Sequence, residues 1–274
     1  MASRPNHLEF LLARYPKVRP PLPPAIQEIY ARQYKANRTG ATTAASLSQR
    51  LEAWMHRQVA ADLRGGAVRS TLELGAGTLN QLRYEPFTAP YDIVEPFAEL
   101  FADSPERSRI RRAYADIAEA PRDSRYERIT SVAALEHICD LPLVLARAAQ
   151  MLAADGIFRA AIPAEGGLLW TLGWSLTTGL EFRLRHGLDY GDLMRHEHVN
   201  SAREIEMLIE GLFQRVRVRS FGLGRQLSLY RFVEARLPRL DLAGAWIERY
   251  TAPRPRVAGG ARRSGPRSRG SAAK

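Results

Sequence analysis

Residues 71–80, Thr-Leu-Glu-Leu-Gly-Ala-Gly-Thr-Leu-Asn, constrain the fold more than any other part of the chain. They predict a buried strand that runs into a glycine turn, with Glu73 near the end of the strand. A second apolar strand, Tyr91–Val94, leads to Glu95. A glycine turn lets the backbone approach a nucleotide closely, and a carboxylate about twenty residues later can bind the ribose hydroxyls. The pattern therefore predicts a sheet that binds an adenosine-containing cofactor.

The residues around the glycines narrow the kind of nucleotide site. An NAD fingerprint needs a third glycine, and this chain has Asn80 at that position. A phosphate-binding Walker loop needs a lysine after its last glycine, and none follows Gly77. What remains is a carboxylate just before Gly75-Ala76-Gly77, which suits a cofactor that carries a cation there. The structural alternative is a turn with incidental glycines.

From Val68 onward, predicted strands and helices alternate, which indicates a parallel sheet covered on both faces. Helices are expected between the strands, most clearly over Leu141–Leu152. The parallel strands are predicted at Ser70–Leu74, Tyr91–Val94, Arg111–Tyr114, Arg128–Val132 and Gly156–Ile162.

The later part of this region predicts a helix and an antiparallel hairpin. Ser201 and Glu204 form a capping box that begins a helix over Ala202–Gly211. Two strands follow, Val216–Phe221 and Gln226–Glu234. The expected fold is α/β, a Rossmann-like, doubly wound and mostly parallel seven-stranded sheet with an antiparallel edge hairpin and an N-terminal helical extension.

Three regions are predicted along the chain. Residues 1–66 form a proline-rich arm and two helices, at Ala25–Tyr34 and from Ser46 or Ser48 to Leu63; the arm is either packed and extended or loose. Residues 67–235 form the main domain, with 164–200 as a substrate lid. Residues 236–274 hold a helix or turn and a basic tail.

The net charge of +11 is mostly local to that tail. Residues 253–274 contain seven basic and no acidic residues, and without them the body carries 33 basic and 29 acidic ones. The tail is expected to be disordered. It can contact nucleic acid or an anionic membrane surface, but the absence of aromatic residues favours a solubilising role.

Other compositional features indicate a cytoplasmic protein. The single cysteine, Cys139, excludes an internal disulfide framework and a multi-cysteine zinc site. No apolar run reaches the roughly 20 residues of a membrane span. The N-terminus has no apolar segment typical of a secretory signal.

Five motifs, in the expected order, resemble those of class I S-adenosylmethionine-dependent methyltransferases, and most closely the small-molecule branch of the type 11 group. The fourth motif contains the Leu-Glu-His sequence typical of that branch, and many members have a third glycine where Leu79 stands. The motifs are Leu72–Asn80, Glu95, Asp116 after the third strand, Ser131–Ile138, and Leu152–Phe158.

The resemblance implies S-adenosylmethionine as the cofactor. It implies that Glu73 lies near the methionine ammonium, that Glu95 binds the ribose diol, and that Asp116 accepts from the adenine amino group. The residues expected at the cofactor are Glu73, Gly75, Gly77, Asn80, Glu95, Asp116, Ile117 and Ala134.

Methyl transfer needs an aligned nucleophile, exclusion of water and, for a hydroxyl acceptor, a proton acceptor. His137, with its neighbour Glu136, is the predicted catalytic group, because it follows strand four at the mouth of the site; a structural role in the loop is the alternative. Other side chains that could accept the proton are His186, His196, His198, Glu165 and Asp189. His196-Glu197-His198 can orient a substrate or bind a metal. Without further clustered ligands local hydrogen bonding is favoured, so no metal is expected.

The uncharged segment Gly166–Leu180 follows strand five and contains two tryptophans. It predicts a lid or an apolar pocket wall; insertion at a lipid surface and a buried helix against the sheet or a partner subunit are alternatives. The polar run after it can hold an anionic group or form a solvated helix face. The residues expected at the substrate are Trp170, Arg183, Arg185, Tyr190, His196 and His198.

The function predicted is direct methyl displacement from S-adenosylmethionine to a small molecule or a saccharide or cell-envelope precursor. A nucleic-acid methyltransferase is disfavoured, because the chain has Ala134-Leu135-Glu136-His137 after strand four and Cys139 lacks a preceding proline. A catalytically silent subunit is disfavoured, because it would not need the three cofactor carboxylates. A homodimer is left open.

Overall fold

The computed structural model describes residues 7–27, 29, 46–64 and 66–252. Its centre is a seven-stranded sheet in the order β3-β2-β1-β4-β5-β7-β6. The strands are β1 (Thr71–Leu74), β2 (Tyr91–Val94), β3 (Arg112–Tyr114), β4 (Tyr126–Val132), β5 (Leu152–Pro163), β6 (Phe213–Leu223) and β7 (Leu227–Pro238). Strands β1 to β5 pair in parallel, and β7 runs antiparallel between β5 and β6. The predicted mostly parallel sheet with an antiparallel edge pair is confirmed.

Eight α-helices have both of their ends in the described ranges. They are α1 (His7–Leu12), α2 (Ser46–Val59), α3 (Leu141–Met151), α4 (Leu168–Trp174), α5 (Leu180–His186), α6 (Tyr190–Glu197), α7 (Ala202–Leu212) and α8 (Leu240–Thr251). A short π-helical segment, Ser175–Gly179, joins α4 to α5. Helix α7 begins at the predicted capping box, with both of its hydrogen bonds formed. No helix in the described part of the chain is both long and apolar enough to cross a bilayer.

The prediction of helices between the first four strands is wrong. The connections contain only short 3₁₀ turns, at Asn80–Tyr84, Ala98–Leu100, Arg107–Arg109 and Ile117–Glu119. Prolines interrupt each connection, because proline lacks a backbone donor and disfavours the helical conformation of the residue before it. These are Pro86 and Pro90, then Pro96 and Pro105, then Pro121.

The sheet order creates a switch point between β1 and β4. From β1 the chain moves outward through β2 and β3, and it then returns to the other side of β1 to form β4. Leu72 and Leu74 of β1 are almost fully buried, as expected for a strand covered on both faces. Ligands of such sheets bind at the carboxyl ends of the strands beside this point.

Two buried arginines of the sheet fasten the end of α2. Arg128 of β4 and Arg159 of β5 both donate to the carbonyl of Val59, over 3.0 and 2.9 Å. Arg128 also pairs with Glu85 at 2.7 Å and with Asp62 at 3.0 Å. Since neither arginine is exposed, the network fixes α2 over this face of the sheet.

The described part of the N-terminal arm packs against the domain, with helix α1 first and then a stretch without helix or strand at residues 13–23. Leu11 and Leu12 are buried in the main core, and Lys17 pairs with Glu204 at the start of α7 over 2.8 Å. Residues 24–27 are helical, while most of the predicted Ala25–Tyr34 helix and the predicted disordered tail, 253–274, lie outside the described residues.

The outer strand of the sheet carries a row of arginines. Arg215, Arg217 and Arg219 alternate along β6 and are exposed, while Val216 and Val218 pack against the core. The alternation confirms the strand with one wet face that the sequence predicts.

Candidate active site

A cavity of about 820 Å³ opens at the carboxyl ends of β1, β2 and β4. Its lining comes from the glycine turn, the ends of β2 and β3, the loop after β4, and the helices α2 and α6. Every residue predicted at the cofactor lies in this lining: Glu73, Gly75, Gly77, Asn80, Glu95, Asp116, Ile117 and Ala134.

The glycine turn is shaped by backbone conformations that side chains seldom adopt. Gly75 has φ +71°, and a Cβ there would lie 2.4 Å from the Cβ of Ala134. Gly77 has φ +51°. Leu79 also has positive φ, 68°, and its side chain is completely buried beside Ile93 and Phe101. A leucine therefore takes the glycine-like conformation at this position, where the apolar core holds its side chain.

Two carboxylates at the strand ends differ sharply in exposure. Glu95 is buried and accepts hydrogen bonds from the backbone N–H of Gly77 at 2.8 Å and of Phe97 at 3.1 Å. Asp116 exposes 63% of its side chain and accepts from the Ala118 N–H at 2.6 Å. Glu95 thus ties the glycine turn to the end of β2, while Asp116 faces the mouth of the cavity.

Glu73 is buried at the end of β1 and accepts a hydrogen bond from the Tyr91 hydroxyl at 3.0 Å. Burial raises the pKa of its carboxyl to about 8, although the Tyr91 hydrogen bond opposes the shift. The negative charges of Glu85 and Glu95 add to the increase. A nearby cation would favour the ionised carboxylate.

Helix α2 forms a wall of the cavity that sequence reasoning missed. Its lining residues are Glu52, Met55 and His56. Asn80 donates to Glu52 at 3.1 Å, which joins the glycine turn to this wall. The apolar residues of this helix recur at helical spacing and predict a side that faces the core. The same pattern would be seen for a side that lines a cavity, so the sequence does not distinguish the two.

Two loops meet on the other side of the cavity, one after β4 and one between α6 and α7. Asn200 of the second loop donates to the carbonyls of Leu135 at 2.9 Å and Ile138 at 2.8 Å. The Tyr15 hydroxyl donates to Asn200 at 2.7 Å, so the N-terminal arm supports this link.

Arg19 of the arm is a second support that sequence reasoning missed. Its guanidinium donates to the carbonyl of His137 at 2.9 Å and to those of His196 and Glu197 at 2.8 and 3.2 Å. It also lines the cavity. A lone arginine in a proline-rich segment gave no signal of this role.

The two loops bring His137 and His198 together, with ring centroids 5.0 Å apart. Nδ1 of His137 lies 2.9 Å from the Glu197 carbonyl, and burial lowers the pKa of this imidazole. Nδ1 of His198 lies 2.8 Å from the Glu165 carboxylate. Burial lowers the pKa of His198, but the hydrogen bond to Glu165 and the surrounding carboxylates outweigh it and raise the pKa.

The residues predicted at the substrate separate into four groups. Tyr190 and His198 line the cavity, whereas Trp170 lies behind His198 and donates to Glu165 at 2.6 Å. Arg183 and Arg185 are exposed on α5, where Arg185 pairs with Glu181. His196 turns away to the carbonyl of Pro20, 2.7 Å from its Nδ1.

The predicted lid, residues 164–200, is built mainly of the helices α4, α5 and α6. Helix α4 packs against β7 on one side. On the other side a row of leucines at helical spacing is exposed. These are Leu168, Leu172, Leu176, Leu180 and Leu184.

No protein-family model matches the chain, and no curated protein sequence matches it. Solved structures do resemble it. The plantazolicin methyltransferase BpumL, in complex with S-adenosylhomocysteine, is 11% identical, with a TM-score of 0.54 over 84% of this chain and 98% of that one. The N-methyltransferase NodS from Bradyrhizobium japonicum, also in complex with S-adenosylhomocysteine, is 14% identical, with a TM-score of 0.51 over 76% and 98%.

A third structure, a methyltransferase from Thermotoga maritima, is 13% identical, with a TM-score of 0.50 over 76% of this chain and 96% of that one. The chain spans about half the length of three other matched methyltransferase structures, namely 50%, 56% and 47%. The fold is that of the class I S-adenosylmethionine-dependent methyltransferases, as the sequence motifs predict.

Proposed function

We propose that this chain is an S-adenosylmethionine-dependent methyltransferase that acts on a small molecule or on a saccharide or cell-envelope precursor. The observation that carries the proposal is the convergence of Glu73, the Gly75–Gly77 turn, Glu95 and Asp116 on one cavity at the switch point of the sheet. The two neighbours in complex with S-adenosylhomocysteine, which have the same fold, support it.

The residues fit this cofactor. No atom lies within 4 Å of where a Cβ of Gly77 would stand, so the backbone of the turn is open there to close approach by a ligand. Glu95 would accept from the ribose hydroxyls, and Asp116 with the N–H of Ile117 would bind the adenine edge. Glu73 would face the ammonium of the methionine part. When bound, the cofactor supplies a methyl group on a sulfonium cation.

The acceptor would lie in the remaining part of the cavity. That part is lined by His137, Tyr190, Leu193, Met194, His198 and Tyr230. Its ring faces can stack on a sugar or an aromatic acceptor, and its apolar side chains exclude water from the reacting atoms. Arg183 and Arg185 lie outside this lining and contribute nothing to the proposal.

Calorimetric titration with S-adenosylmethionine and S-adenosylhomocysteine tests the cofactor, with NAD and ATP as controls. We expect the first two to bind and the controls not to bind. Glu95→Ala should weaken S-adenosylhomocysteine roughly tenfold or more, because a charge-assisted hydrogen bond contributes about 1.5–3 kcal/mol. Asp116→Ala should weaken it less, since Asp116 is more exposed.

Glu99→Ala is the matched control, because Glu99 is an exposed glutamate near Glu95 that does not line the cavity. Each variant is checked by urea unfolding before titration. Native affinity in a folded Glu95→Ala variant, or tight binding of NAD or ATP, would contradict the assignment of the pocket.

Transfer of a labelled methyl group then tests the acceptor class. Small hydroxyl compounds, nucleotide sugars and lipid-linked glycans are compared with DNA and RNA. Label in the small-molecule or glycan fractions supports the proposal. Label in nucleic acid alone would contradict it and favour a nucleic-acid methyltransferase.

A further inference from the structure

Three side chains from two distant parts of the chain converge beside the acceptor part of the cavity. Glu136 and His137 follow β4, and His198 lies in the loop before α7. One ligand atom from each side chain lies within 4.8 Å of those of the other two. The backbone links made by Asn200 and Arg19 hold the two loops in this arrangement.

Both histidines are oriented in the way that metal-binding histidines are. Nδ1 of His137 faces a carbonyl oxygen, which can only accept, so this nitrogen carries the proton. Nδ1 of His198 faces the Glu165 carboxylate, which is itself held by Trp170. Each Nε2 is thereby left as the ligand atom, and a carboxylate or carbonyl on the other nitrogen is the usual outer partner of a metal-bound imidazole.

Glu136 supplies an independent observation. It is 2% exposed, and its Oε2 atom is buried without a hydrogen-bond partner among the described residues. Its Oε1 atom lies 3.8 Å from Nε2 of His137. An unpaired carboxylate oxygen away from water is costly, and a cation between the three side chains would satisfy it.

We propose that Glu136, His137 and His198 bind a divalent transition-metal ion. Two imidazole nitrogens and one carboxylate oxygen suit Zn²⁺, Fe²⁺, Co²⁺ or Ni²⁺ better than Mg²⁺ or Ca²⁺, which prefer oxygen ligands. Three protein ligands leave coordination positions open, as in catalytic metal sites. His137 and His198 line the cavity, so those positions are accessible to an acceptor.

The proposed site differs from two predictions made from the sequence. No metal was expected, because His196-Glu197-His198 alone offers too few ligands; the fold supplies Glu136 and His137, while His196 faces Pro20. The sequence predicts His137 as the proton acceptor, whereas in the proposed site His137 would bind the ion.

The role of the ion rests on the proposed function. An acceptor hydroxyl bound to the ion would lose its proton more readily, to solvent water at the mouth of the cavity, because the cation would stabilise the oxyanion. The oxygen would then form a bond to the methyl carbon, the carbon–sulfur bond would break, and its electron pair would stay on sulfur. The products are the methyl ether and S-adenosylhomocysteine.

The test uses the full chain after treatment with a chelator. Co²⁺ is titrated and followed by its visible absorption and by calorimetry, and Zn²⁺ is then added as a competitor. We expect a single Co²⁺ per chain that Zn²⁺ displaces. His198→Ala and Glu136→Gln should abolish the site, Glu165→Gln should weaken it about tenfold or more, and His196→Ala, the matched control, should bind like the native chain.

Failure of the native chain to bind Co²⁺, or native binding in a folded His198→Ala variant, would overturn the proposal. If Glu136→Gln does not fold, the Co²⁺ affinity of Glu165→Gln tests the site instead, and an affinity equal to that of the native chain would count against it. S-adenosylhomocysteine affinity is measured in the same preparations. If the chain binds S-adenosylhomocysteine but not Co²⁺, the metal site alone is rejected. If the chain binds Co²⁺ but not S-adenosylhomocysteine, the proposed function alone is rejected.

Discussion

Glu73 lies at the end of β1 with its carboxyl buried and bonded to the hydroxyl of Tyr91. Its pKa is raised by burial from an ordinary 4.5 to about 8, so the folded chain holds a proton that the unfolded chain releases at lower pH. The contribution of Glu73 to stability is therefore greatest at acidic pH and decreases as the pH rises from 4.5 to about 8. A buried neutral acid at this position is poised to ionise when a cation arrives.

This residue gives a prediction about protons. Binding of S-adenosylhomocysteine near pH 7 should release close to one proton, because the ligand ammonium favours the ionised carboxylate of Glu73. The measurement is calorimetry in two buffers of different ionisation enthalpy. Glu73→Gln should bind without this release, and a native binding enthalpy that does not depend on the buffer would contradict the prediction.

The backbone at Gly75 lies too close to Ala134 to accommodate a side chain. Gly75→Ala should lower the free energy of unfolding through backbone strain and through the clash with Ala134. Gly187→Ala is a matched control, because Gly187 has nearly the same φ, +70°, with no atom within 4 Å of the added Cβ. The difference between the two variants in urea unfolding should be about 1–3 kcal/mol, the usual cost of overpacking. Equal losses would show that the turn opens without cost.

Among the elements, α2 depends most on buried charge. Its last carbonyls are held by Arg128 and Arg159, and these arginines in turn neutralise Asp62, Glu85 and Glu234. Because α2 is also a wall of the cavity, its attachment links the stability of the fold to the shape of the site.

Arg128→Ala should lower the free energy of unfolding by about 3–5 kcal/mol, because it leaves the buried carboxylate of Glu85 uncompensated, while Asp62 keeps its ion pair with Arg159. Arg125→Ala is the control, since Arg125 is exposed and its hydrogen bonds among the described residues go to the nearby carbonyls of Arg122 and Ser124; it should change the value by less than about 0.5 kcal/mol. Urea unfolding measures both. A small loss in Arg128→Ala would mean that water reaches the network.

For the molecule as a whole, the sequence predicts what is local. Strand β2 has its predicted bounds, because Pro90 and Pro96 lie on either side of it. Strand β5 begins four residues before the predicted Gly156, since α3 passes into it without a turn. The connections between β1 and β4 lack the predicted helices because prolines interrupt them. A prediction based on strand–helix alternation alone does not take these prolines into account.

What the sequence could not predict depends on tertiary contact. The residues predicted at the cofactor lie at or just after strand ends. The carboxyl ends of parallel strands lie at one edge of the sheet, so a correct prediction of the sheet also places these residues together. The meeting of His137 with His198, by contrast, depends on loops held by Asn200 and Arg19, residues that carry no motif. The positions of Arg183 and Arg185 outside the cavity likewise follow from how α5 packs.

The arginine row of β6 has a consequence for how copies of the chain meet. A second copy that extended the sheet across this edge would bring its own row opposite Arg215, Arg217 and Arg219, so strand addition would face like charge at every second residue. Strand β6 is therefore expected to remain the edge of the sheet. Even at high concentration, copies of the chain are not expected to join through their β6 edges, and a dimer would use another surface.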